Sequence, residues 1–313
     1  MIPSKQIVIE AGNRVAPFVH RTPVLTSRLL NEMAGAEVFF KCENLQKMGA
    51  FKMRGAINAI QQLSEAQKKA GVVTHSSGNF GQALALAAKN LGVNAYIVMP
   101  SSAPAVKIEA VKSYGGLVTI TEPTLEAREK SAANIVAEKG AVFLHPSNDL
   151  NVIVGQGTAA LELLQDQPGL EYIMSPVGGG GLIAGTALAA HYLGNNCRVI
   201  GAEPMEVDDA YRAFKSGKIE YNTSTDTIAD GLKTNLGDIN FPIIMELVSD
   251  IIRVEEGEIV NAMKLIWERM KLVIEPSSAV PFAALLKERE KFKNKKVGII
   301  LSGGNVELSN LPF

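Results

Sequence analysis

Gly49-Ala50-Phe51-Lys52-Met53-Arg54-Gly55 is the stretch around which the rest of the chain is organised, because it sets a lysine between glycines at the start of a helical run. Apolar residues then recur at helical spacing, at Ala56, Ile57, Ile60 and Leu63. This spacing predicts Lys52 in the first turn of a helix or just before it. The helix dipole and the apolar neighbours both disfavour an ammonium ion, which favours a neutral, nucleophilic amine able to form a Schiff base. The alternative is a solvated surface lysine, the commoner situation near helix starts.

The composition is that of an ordinary globular protein of 313 residues, with 47% hydrophobic and 20% charged residues. The 31 basic and 32 acidic residues nearly cancel, so we expect small molecules as partners rather than nucleic acid or a membrane. Residues 1–12 lack the apolar core of a signal peptide, and no apolar run could cross a bilayer, which predicts a cytoplasmic location. Cys42, Cys197 and four scattered histidines predict neither zinc sites nor disulfides.

Short β-branched runs alternate with amphipathic stretches, which predicts an α/β fold of parallel-rich sheets covered by helices on both faces. Strands are predicted at residues 37–42, 72–74, 95–98, 117–120, 142–144, 172–174, 199–201 and 297–301, and helices at 5–15, 79–91, 104–114, 124–138, 153–164 and 256–270. A polar break at His145-Pro146-Ser147-Asn148-Asp149 indicates a crossing between domains. We therefore expect a large discontinuous domain of residues 1–66 and 149–313 and a small inserted domain of residues 67–148.

Three polar clusters follow predicted strands, where open α/β sheets bind their ligands. The first, Thr74-His75-Ser76-Ser77-Gly78-Asn79, offers hydroxyls, an amide and backbone N–H groups that suit a carboxylate. A plain helix N-cap at Ser77 or Asn79 is the alternative. The last, Leu301-Ser302-Gly303-Gly304-Asn305, presents a hydroxyl to a closely approaching planar ligand, although a turn explains it equally well.

The middle cluster is Gly178-Gly179-Gly180-Gly181, named here the glycine loop, which lies between a strand and a helix starting near Leu182. Successive backbone amides can converge there on one anion at the helix start, which favours a phosphate. A rival interpretation exists, because Gly179-x-Gly181-x-x-Ala184 followed by Glu203 fits the dinucleotide fingerprint of an NAD-dependent oxidoreductase. That interpretation leaves Lys52 and the Ser76-Ser77 loop without a role.

A nucleophilic lysine, a phosphate loop, a carboxylate loop and a hydroxyl for a ring nitrogen together suit pyridoxal 5′-phosphate (PLP). The sequence resembles the fold-type II PLP enzymes, with their two-domain, tryptophan synthase β-like architecture. Within them it is most similar to serine racemase and the short serine/threonine dehydratases, over nearly the whole chain. The residues that carry the resemblance are Glu43-Asn44-Leu45-Gln46-Lys47, Phe51-Lys52-Met53-Arg54-Gly55-Ala56, Ser76-Ser77-Gly78-Asn79, the glycine loop, Ile228-Ala229-Asp230-Gly231, Trp267-Glu268-Arg269-Met270-Lys271, Ile274-Glu275-Pro276 and Ser302-Gly303-Gly304-Asn305.

The resemblance implies a role for each matching residue. Lys52 is then the Schiff-base lysine with Phe51 stacked on the ring, Asn79 bonds the phenolic oxygen, and Ser302 meets the pyridine nitrogen. The glycine loop and Leu182 hold the phosphate, and Gly231 and Glu275 complete the cofactor-binding set. The implied substrate contacts are Ser76, Ser77, Asn79, Phe80 and Arg128. Taken by itself, Arg128 could equally be a solvated charge on the surface of a helix.

The implied chemistry starts when Lys52 removes the Cα proton of serine or threonine. Loss of the β-hydroxyl leads to a 2-oxo acid and ammonia, whereas reprotonation by Ser77 from the opposite face gives racemisation. A neutral Ser302 at the ring nitrogen favours elimination over transamination. We therefore expect serine/threonine dehydration as the main activity and serine racemisation as the alternative.

Some positions depart from the family pattern or extend it. Met48 and Ala50 replace hydroxyl residues, and Phe80 replaces a histidine that is usual in close relatives, which puts the preferred substrate side chain in doubt. The acidic stretch of residues 203–209 contains Glu203, Val207 and Asp209. The resemblance implies that these residues hold Mg²⁺ or Ca²⁺, with a solvated acidic loop as the alternative. It also implies a homodimer.

Overall fold

Two β-sheets form the framework of the protein, and the computed structural model describes residues 2–313 apart from the side chain of Asn310. The strands are β1 Val24–Leu25, β2 Glu37–Cys42, β3 Val72–Thr74, β4 Ala95–Pro100, β5 Leu117–Thr121, β6 Val142–Phe143, β7 Tyr172–Pro176, β8 Arg198–Pro204, β9 Val248–Val254 and β10 Lys296–Leu301. One sheet has the order β1-β2-β10-β7-β8-β9, and the other has the order β5-β4-β3-β6. The second sheet is thus inserted, in sequence, between strands of the first.

The described strands pair in parallel, apart from the antiparallel pair β1–β2. Parallel strands end at one edge of their sheet, so the segments that follow β2, β7 and β10 meet there. The predicted parallel-rich sheets are confirmed. The domain boundaries at 66/67 and 148/149 stay a prediction.

Thirteen α-helices accompany these strands in the described part of the chain. They are α1 Lys5–Val15, α2 Arg28–Ala34, α3 Lys52–Gln61, α4 Glu65–Ala70, α5 Asn79–Asn90, α6 Ala105–Ser113, α7 Leu125–Lys139, α8 Leu150–Asp166, α9 Gly181–Leu193, α10 Asp209–Ser216, α11 Asn240–Leu247, α12 Glu256–Met270 and α13 Pro276–Lys287. Within residues 2–313, none of them combines the length and apolar character needed to span a membrane.

Helices cover both faces of the six-stranded sheet. In β7, buried Ile173 packs into an apolar core that includes residues of α8 and α9, whereas its neighbour Met174 packs into a core that includes residues of α12 and α13. Ile300 and Ile299 of β10 divide between the same two cores in the same way. This alternation follows from the two-residue period of a strand and confirms the expectation of helices on both faces of the sheet.

Candidate active site

Lys52 is the first residue of α3, as the sequence predicts, and its side chain is half-buried. Its Nζ donates a hydrogen bond to the Pro146 carbonyl at 2.8 Å and lies 4.9 Å from the ring centre of Phe51. Burial lowers the pKa of Lys52 from 10.5 to about 7, and the negative charge of Glu275 opposes this shift in part. Lys52 therefore carries a neutral amine in a large fraction of molecules at neutral pH.

A buried ionic network anchors α3 two residues beyond Lys52. Arg54 Nε lies 2.7 Å from Glu43 Oε2, and Arg54 Nη1 lies 2.8 Å from Glu162 Oε1. Lys41 Nζ lies 2.6 Å from Glu162 Oε2. Two cations and two carboxylates balance, and loss of one partner would leave a buried charge uncompensated at a cost of about 3–5 kcal/mol. The network thus fixes the first turn of α3 against β2 and α8.

The glycine loop follows β7 and leads into α9, as predicted. A Cβ on Gly178 would lie 2.8 Å from Leu232 Cα, and one on Gly180 would lie 2.7 Å from Asn240 Oδ1. Gly180 also has a φ of +80°, which disfavours any other residue. The same loop packs against Ser147, the residue after Pro146. The glycines therefore let the loop approach the segment that receives the Lys52 hydrogen bond.

The residues of the glycine loop and Leu182 are buried, and their backbone N–H groups have no acceptor among residues 2–313. Buried N–H groups are almost always satisfied, so these donors fit an anionic ligand. They stand at the N-terminus of α9, a 13-residue helix whose dipole also favours negative charge. The loop and Leu182 thus have the chemistry to hold a phosphate group.

Ser302 lies directly after β10 and is almost completely buried. Its carbonyl accepts from the Phe51 N–H at 3.0 Å, which joins the third predicted cluster to the Lys52 segment. Its hydroxyl lies 3.0 Å from the Ser278 hydroxyl, which in turn bonds the Gly303 carbonyl at 2.6 Å. Ser302 is thus held in place beside Lys52. Ser278, at the start of α13, is a partner that the sequence did not reveal.

Asn79 has an amide orientation that its neighbours determine. Asn305 Nδ2 donates to the Met48 carbonyl at 2.9 Å and to Asn79 Oδ1 at 2.8 Å. The Asn79 Nδ2 therefore faces Glu275, whose two carboxylate oxygens lie 3.0 and 3.1 Å away. Burial, reinforced by the charge of Asp230, raises the pKa of Glu275 to about 7. The arrangement leaves Asn79 as a hydrogen-bond donor, which fits the predicted contact to a phenolic oxygen.

Gly231 belongs to the same part of the site. Its N–H donates to the Ser277 hydroxyl at 3.0 Å, and a Cβ there would lie 3.9 Å from Glu275 Oε1. The structure therefore brings together eleven predicted cofactor-binding residues, namely Phe51, Lys52, Asn79, the four glycines, Leu182, Gly231, Glu275 and Ser302. Whether they bind a cofactor stays a prediction.

The predicted substrate residues lie around the segment between β3 and α5. Ser76 and Ser77 are half-buried, whereas Phe80 is almost completely buried with its ring centre 5.8 Å from Lys52 Nζ. Arg128 is half-buried in α7, and its charge contributes to lowering the pKa of His75, for which burial is the main cause. Arg128 thus lies near His75, a residue of the segment between β3 and α5. Its contact with a substrate stays a prediction.

His145 also lies in this region and is held by its neighbours. Its Nδ1 accepts from the N–H groups of Ser147 at 3.2 Å and Asn148 at 2.8 Å. Burial is the main cause that lowers the pKa of His145 to about 4, and the nearby charge of Lys52 adds to it. The ring is therefore neutral at pH 7, with its proton on Nε2. Isolated histidines in a sequence give no signal of such a contact.

The acidic stretch after β8 is ordered by backbone N–H groups. Glu203 is buried and accepts from the N–H groups of Ala210 at 3.1 Å and Tyr211 at 2.8 Å, so it is committed to the start of α10 rather than free for the ribose of a dinucleotide. Asp209 accepts from Asn222 Nδ2 at 2.5 Å and from the Leu236 N–H at 3.1 Å. Burial raises the pKa of both carboxyls, that of Asp209 to about 6. A solvated acidic loop is therefore the wrong description.

A cation would fit the chemistry of this stretch, because two buried carboxylates and the Val207 carbonyl are hard oxygen donors. Within residues 2–313, no group of three or more His, Cys, Asp or Glu side chains is arranged to hold a metal ion. A site here would consequently need the Val207 carbonyl as a third ligand. The metal stays a prediction.

Comparisons with known proteins give a consistent result. The family model described as pyridoxal-phosphate dependent enzyme matches residues 15–303. The chain is 52% identical over 306 residues to the serine racemase of Dictyostelium discoideum, covering 96% of this chain and 94% of the relative. It is 48% identical over 312 residues to the β-hydroxyaspartate dehydratase of Paracoccus denitrificans (strain Pd 1222), covering 100% and 99%. The solved structure of maize serine racemase matches with a TM-score of 0.96 at 46% identity, covering 99% of this chain and 95% of that one.

Proposed function

The chain belongs to the pyridoxal-phosphate dependent enzyme family, and from that membership we propose that it interconverts L- and D-serine, with elimination of hydroxy amino acids as a second activity. The family prediction is confirmed, and the relatives are lyases and racemases by name. Elimination is the main reaction expected from the sequence, but the relatives support racemisation better.

Lys52 is the structural observation that carries the proposal of a PLP-dependent reaction. A lysine with a pKa of about 7 is both a nucleophile and an effective base near neutral pH. Its amine binds the Pro146 carbonyl, and the next residue, Ser147, packs against the glycine loop with its unpaired N–H groups. A reactive amine and an anion-binding loop joined through two adjacent residues suit a cofactor that carries both an aldehyde and a phosphate.

The chain's own residues then have distinct tasks. PLP, when bound, would stabilise negative charge at the Cα atom of an amino acid. The glycine loop and Leu182 would hold its phosphate, Asn79 would donate to its phenolic oxygen, and Ser302 would meet its ring nitrogen. Lys52 would bind its aldehyde and take the proton from Cα.

The outcome of the reaction depends on how Cα regains a proton. The hydroxyl of half-buried Ser77 is our candidate for the acid that delivers a proton to the face opposite Lys52, which would invert the configuration. If the β-hydroxyl leaves first, the product is a 2-oxo acid with ammonia. The two outcomes differ by a few kcal/mol of activation free energy, a gap that small changes in geometry reverse.

A second candidate function is elimination from 3-hydroxyaspartate. Three relatives carry this activity in their names, at 48%, 45% and 44% identity over at least 96% of the chain. The second carboxylate of such a substrate needs an extra cationic partner, and Arg128, which lies near His75 between β3 and α5, is our candidate for it.

Two further properties belong to this proposal. We propose that Mg²⁺ or Ca²⁺ binds Glu203, Asp209 and the Val207 carbonyl, where it would neutralise two buried carboxylates and stiffen the segment between β8 and α10. We also propose that the enzyme is a homodimer, which light scattering of the purified protein tests.

The decisive experiment measures three products in parallel. Enzyme, PLP and Mg²⁺ are incubated with L-serine or with L-threo-3-hydroxyaspartate, and D-serine, pyruvate and oxaloacetate are followed over time. D-serine forming faster than pyruvate is the expected result. Pyruvate forming faster would make the enzyme a serine dehydratase, and turnover of hydroxyaspartate at least tenfold more efficient than that of serine would favour the second candidate.

A further inference from the structure

We propose that Asn240 is a positioning residue for the cofactor phosphate, acting by fixing the peptide unit between Gly179 and Gly180. This inference rests on the proposed place of the phosphate at the glycine loop. It does not depend on whether racemisation or elimination is the main reaction. Asn240 lies more than 50 residues after the loop in sequence and belongs to none of the motifs that carry the resemblance.

Asn240 is completely buried at the start of α11, and its side chain joins three segments. Its Nδ2 donates to the Gly179 carbonyl at 2.8 Å and to the Ser147 carbonyl at 3.0 Å. Its Oδ1 accepts from the Gly237 N–H at 3.2 Å. Two carbonyl acceptors require the NH₂ group on one side, and an N–H donor requires the oxygen on the other, so the amide orientation is determined chemically.

The bond to the Gly179 carbonyl sets the direction of the next N–H group. A peptide unit is planar and trans, and no described peptide bond is cis. The Gly179 carbonyl and the Gly180 N–H therefore point to opposite sides of one rigid unit. Because the Gly179 carbonyl accepts from Asn240, the Gly180 N–H points away from Asn240. This N–H is one of the loop donors without an acceptor among residues 2–313.

The second donated bond links the loop to the Lys52 side of the site. Ser147 directly follows Pro146, whose carbonyl accepts from Lys52, and Asn240 holds the Ser147 carbonyl. The buried side-chain amide of Asn240 thus fixes the position of the glycine loop relative to the segment Pro146-Ser147, which accepts the hydrogen bond from Lys52. Without this amide, the carbonyls of Gly179 and Ser147 lose their hydrogen-bond donor. The peptide units of the glycine loop can then rotate, because glycine restricts its backbone angles very little.

Asn148 provides a matched control in the same part of the fold. Its Oδ1 accepts from the N–H groups of Ile239 at 2.9 Å and Asn240 at 3.4 Å, so it caps α11. It makes no hydrogen bond to the glycine loop among the described residues. Asn148→Ala therefore weakens the same helix start while leaving the bond to Gly179 in place.

The test compares PLP with pyridoxal, which lacks the phosphate. Affinities of the apoprotein for both compounds are measured by quenching of Trp267 fluorescence, for wild type, Asn240→Leu, Asn240→Ser and Asn148→Ala. We expect Asn240→Leu to bind PLP about tenfold to a hundredfold more weakly, because a buried hydrogen-bonded group has been removed. Its affinity for pyridoxal stays within about threefold of wild type, as do both affinities of Asn148→Ala.

A fall by the same factor for both compounds, or no fall for PLP, overturns the inference. If Asn240→Leu does not fold, the inference is tested on Asn240→Ser instead. The measured quantity is then the increase in the melting temperature of the apoprotein that inorganic phosphate causes. That increase is expected in wild type and Asn148→Ala and strongly reduced in Asn240→Ser, and an unchanged increase refutes the role. If wild type itself binds PLP and pyridoxal equally well, the phosphate is not at the glycine loop, a failure of the proposed function rather than of Asn240 alone.

Discussion

Capture of PLP by the apoprotein should level off near pH 8 instead of rising to pH 10. The reason is the pKa of about 7 at Lys52, which burial lowers from 10.5. The attacking species is the neutral amine, so the capture rate follows its fraction. At pH 7 that fraction is about one half for Lys52, on the order of a thousandfold more than for an unperturbed lysine.

Glu275→Gln is the perturbation that tests the cause. The charge of Glu275 raises the pKa of Lys52, so its removal lowers that pKa further and moves the midpoint of the rate profile to lower pH. Gln keeps an oxygen that can accept from Asn79 Nδ2, which now lies 3.0 Å from Glu275 Oε1. The substitution therefore changes charge with little change in shape.

The assay is stopped-flow formation of the visible absorption band between pH 5.5 and 10. Borohydride reduction followed by peptide mapping identifies the modified lysine, and Nα-acetyl-lysine amide in the same buffers corrects for the titration of PLP itself. A rate that keeps rising tenfold per pH unit up to pH 10 would refute the reasoning. So would a midpoint that moves to higher pH in Glu275→Gln.

Four further outcomes are expected. Gly180→Ala should lower the stability of the fold by about 1–3 kcal/mol and weaken PLP binding, since the residue has a φ of +80° and its Cβ would lie 2.7 Å from Asn240 Oδ1. Urea unfolding measures the stability, and a PLP titration measures the binding. Ser77→Ala should reduce D-serine formation at least tenfold more than pyruvate formation from L-serine, and equal losses would exclude Ser77 as the acid. Dialysis against a chelator should lower the melting temperature, and an unchanged melting temperature and activity would remove the proposed metal. Lys52→Met should stabilise the apoprotein by about 1–4 kcal/mol at pH 7. Because the folded-state pKa of Lys52 lies below the unfolded one, this gain in stability is largest at and below pH 7 and disappears towards pH 10.5. Denaturant unfolding across this pH range measures it.

Much of the fold is readable from the sequence because hydrophobic periodicity is strong where elements are long or buried. Helices α1 and α12 and strand β2 have the predicted bounds. The sequence gives no clear signal for strand β9, because Ser249 and Asp250 interrupt its apolar run, or for β1, which has only two residues. The sequence does not indicate helix α13, because prolines such as Pro276 and Pro281 usually end a helix. Pro276 nevertheless occupies the first turn, where a proline is tolerated.

The site is predictable to the extent that its chemistry is local in sequence. Lys52, the glycine loop and Ser302 follow strand ends and could be found from motif and spacing. The residues that hold them could not, since Asn240 and Ser278 act through hydrogen bonds to backbone carbonyls many residues away. The pKa of about 7 at Glu275 is equally hidden, because burial, which the sequence does not display, is its main cause.

With the cofactor phosphate held by the glycine loop, as we propose, the lifetime of this protein in the cell would depend on the supply of vitamin B6. Each N–H donor of the loop that has no partner would cost the apoprotein free energy, and a bound phosphate would return it. A ligand present at a hundred times its dissociation constant stabilises the folded state by about 2.7 kcal/mol, which changes the unfolded fraction about a hundredfold. In a cell short of vitamin B6, newly made chains would accordingly spend more time unfolded and within reach of proteases, so enzyme abundance would fall together with cofactor occupancy.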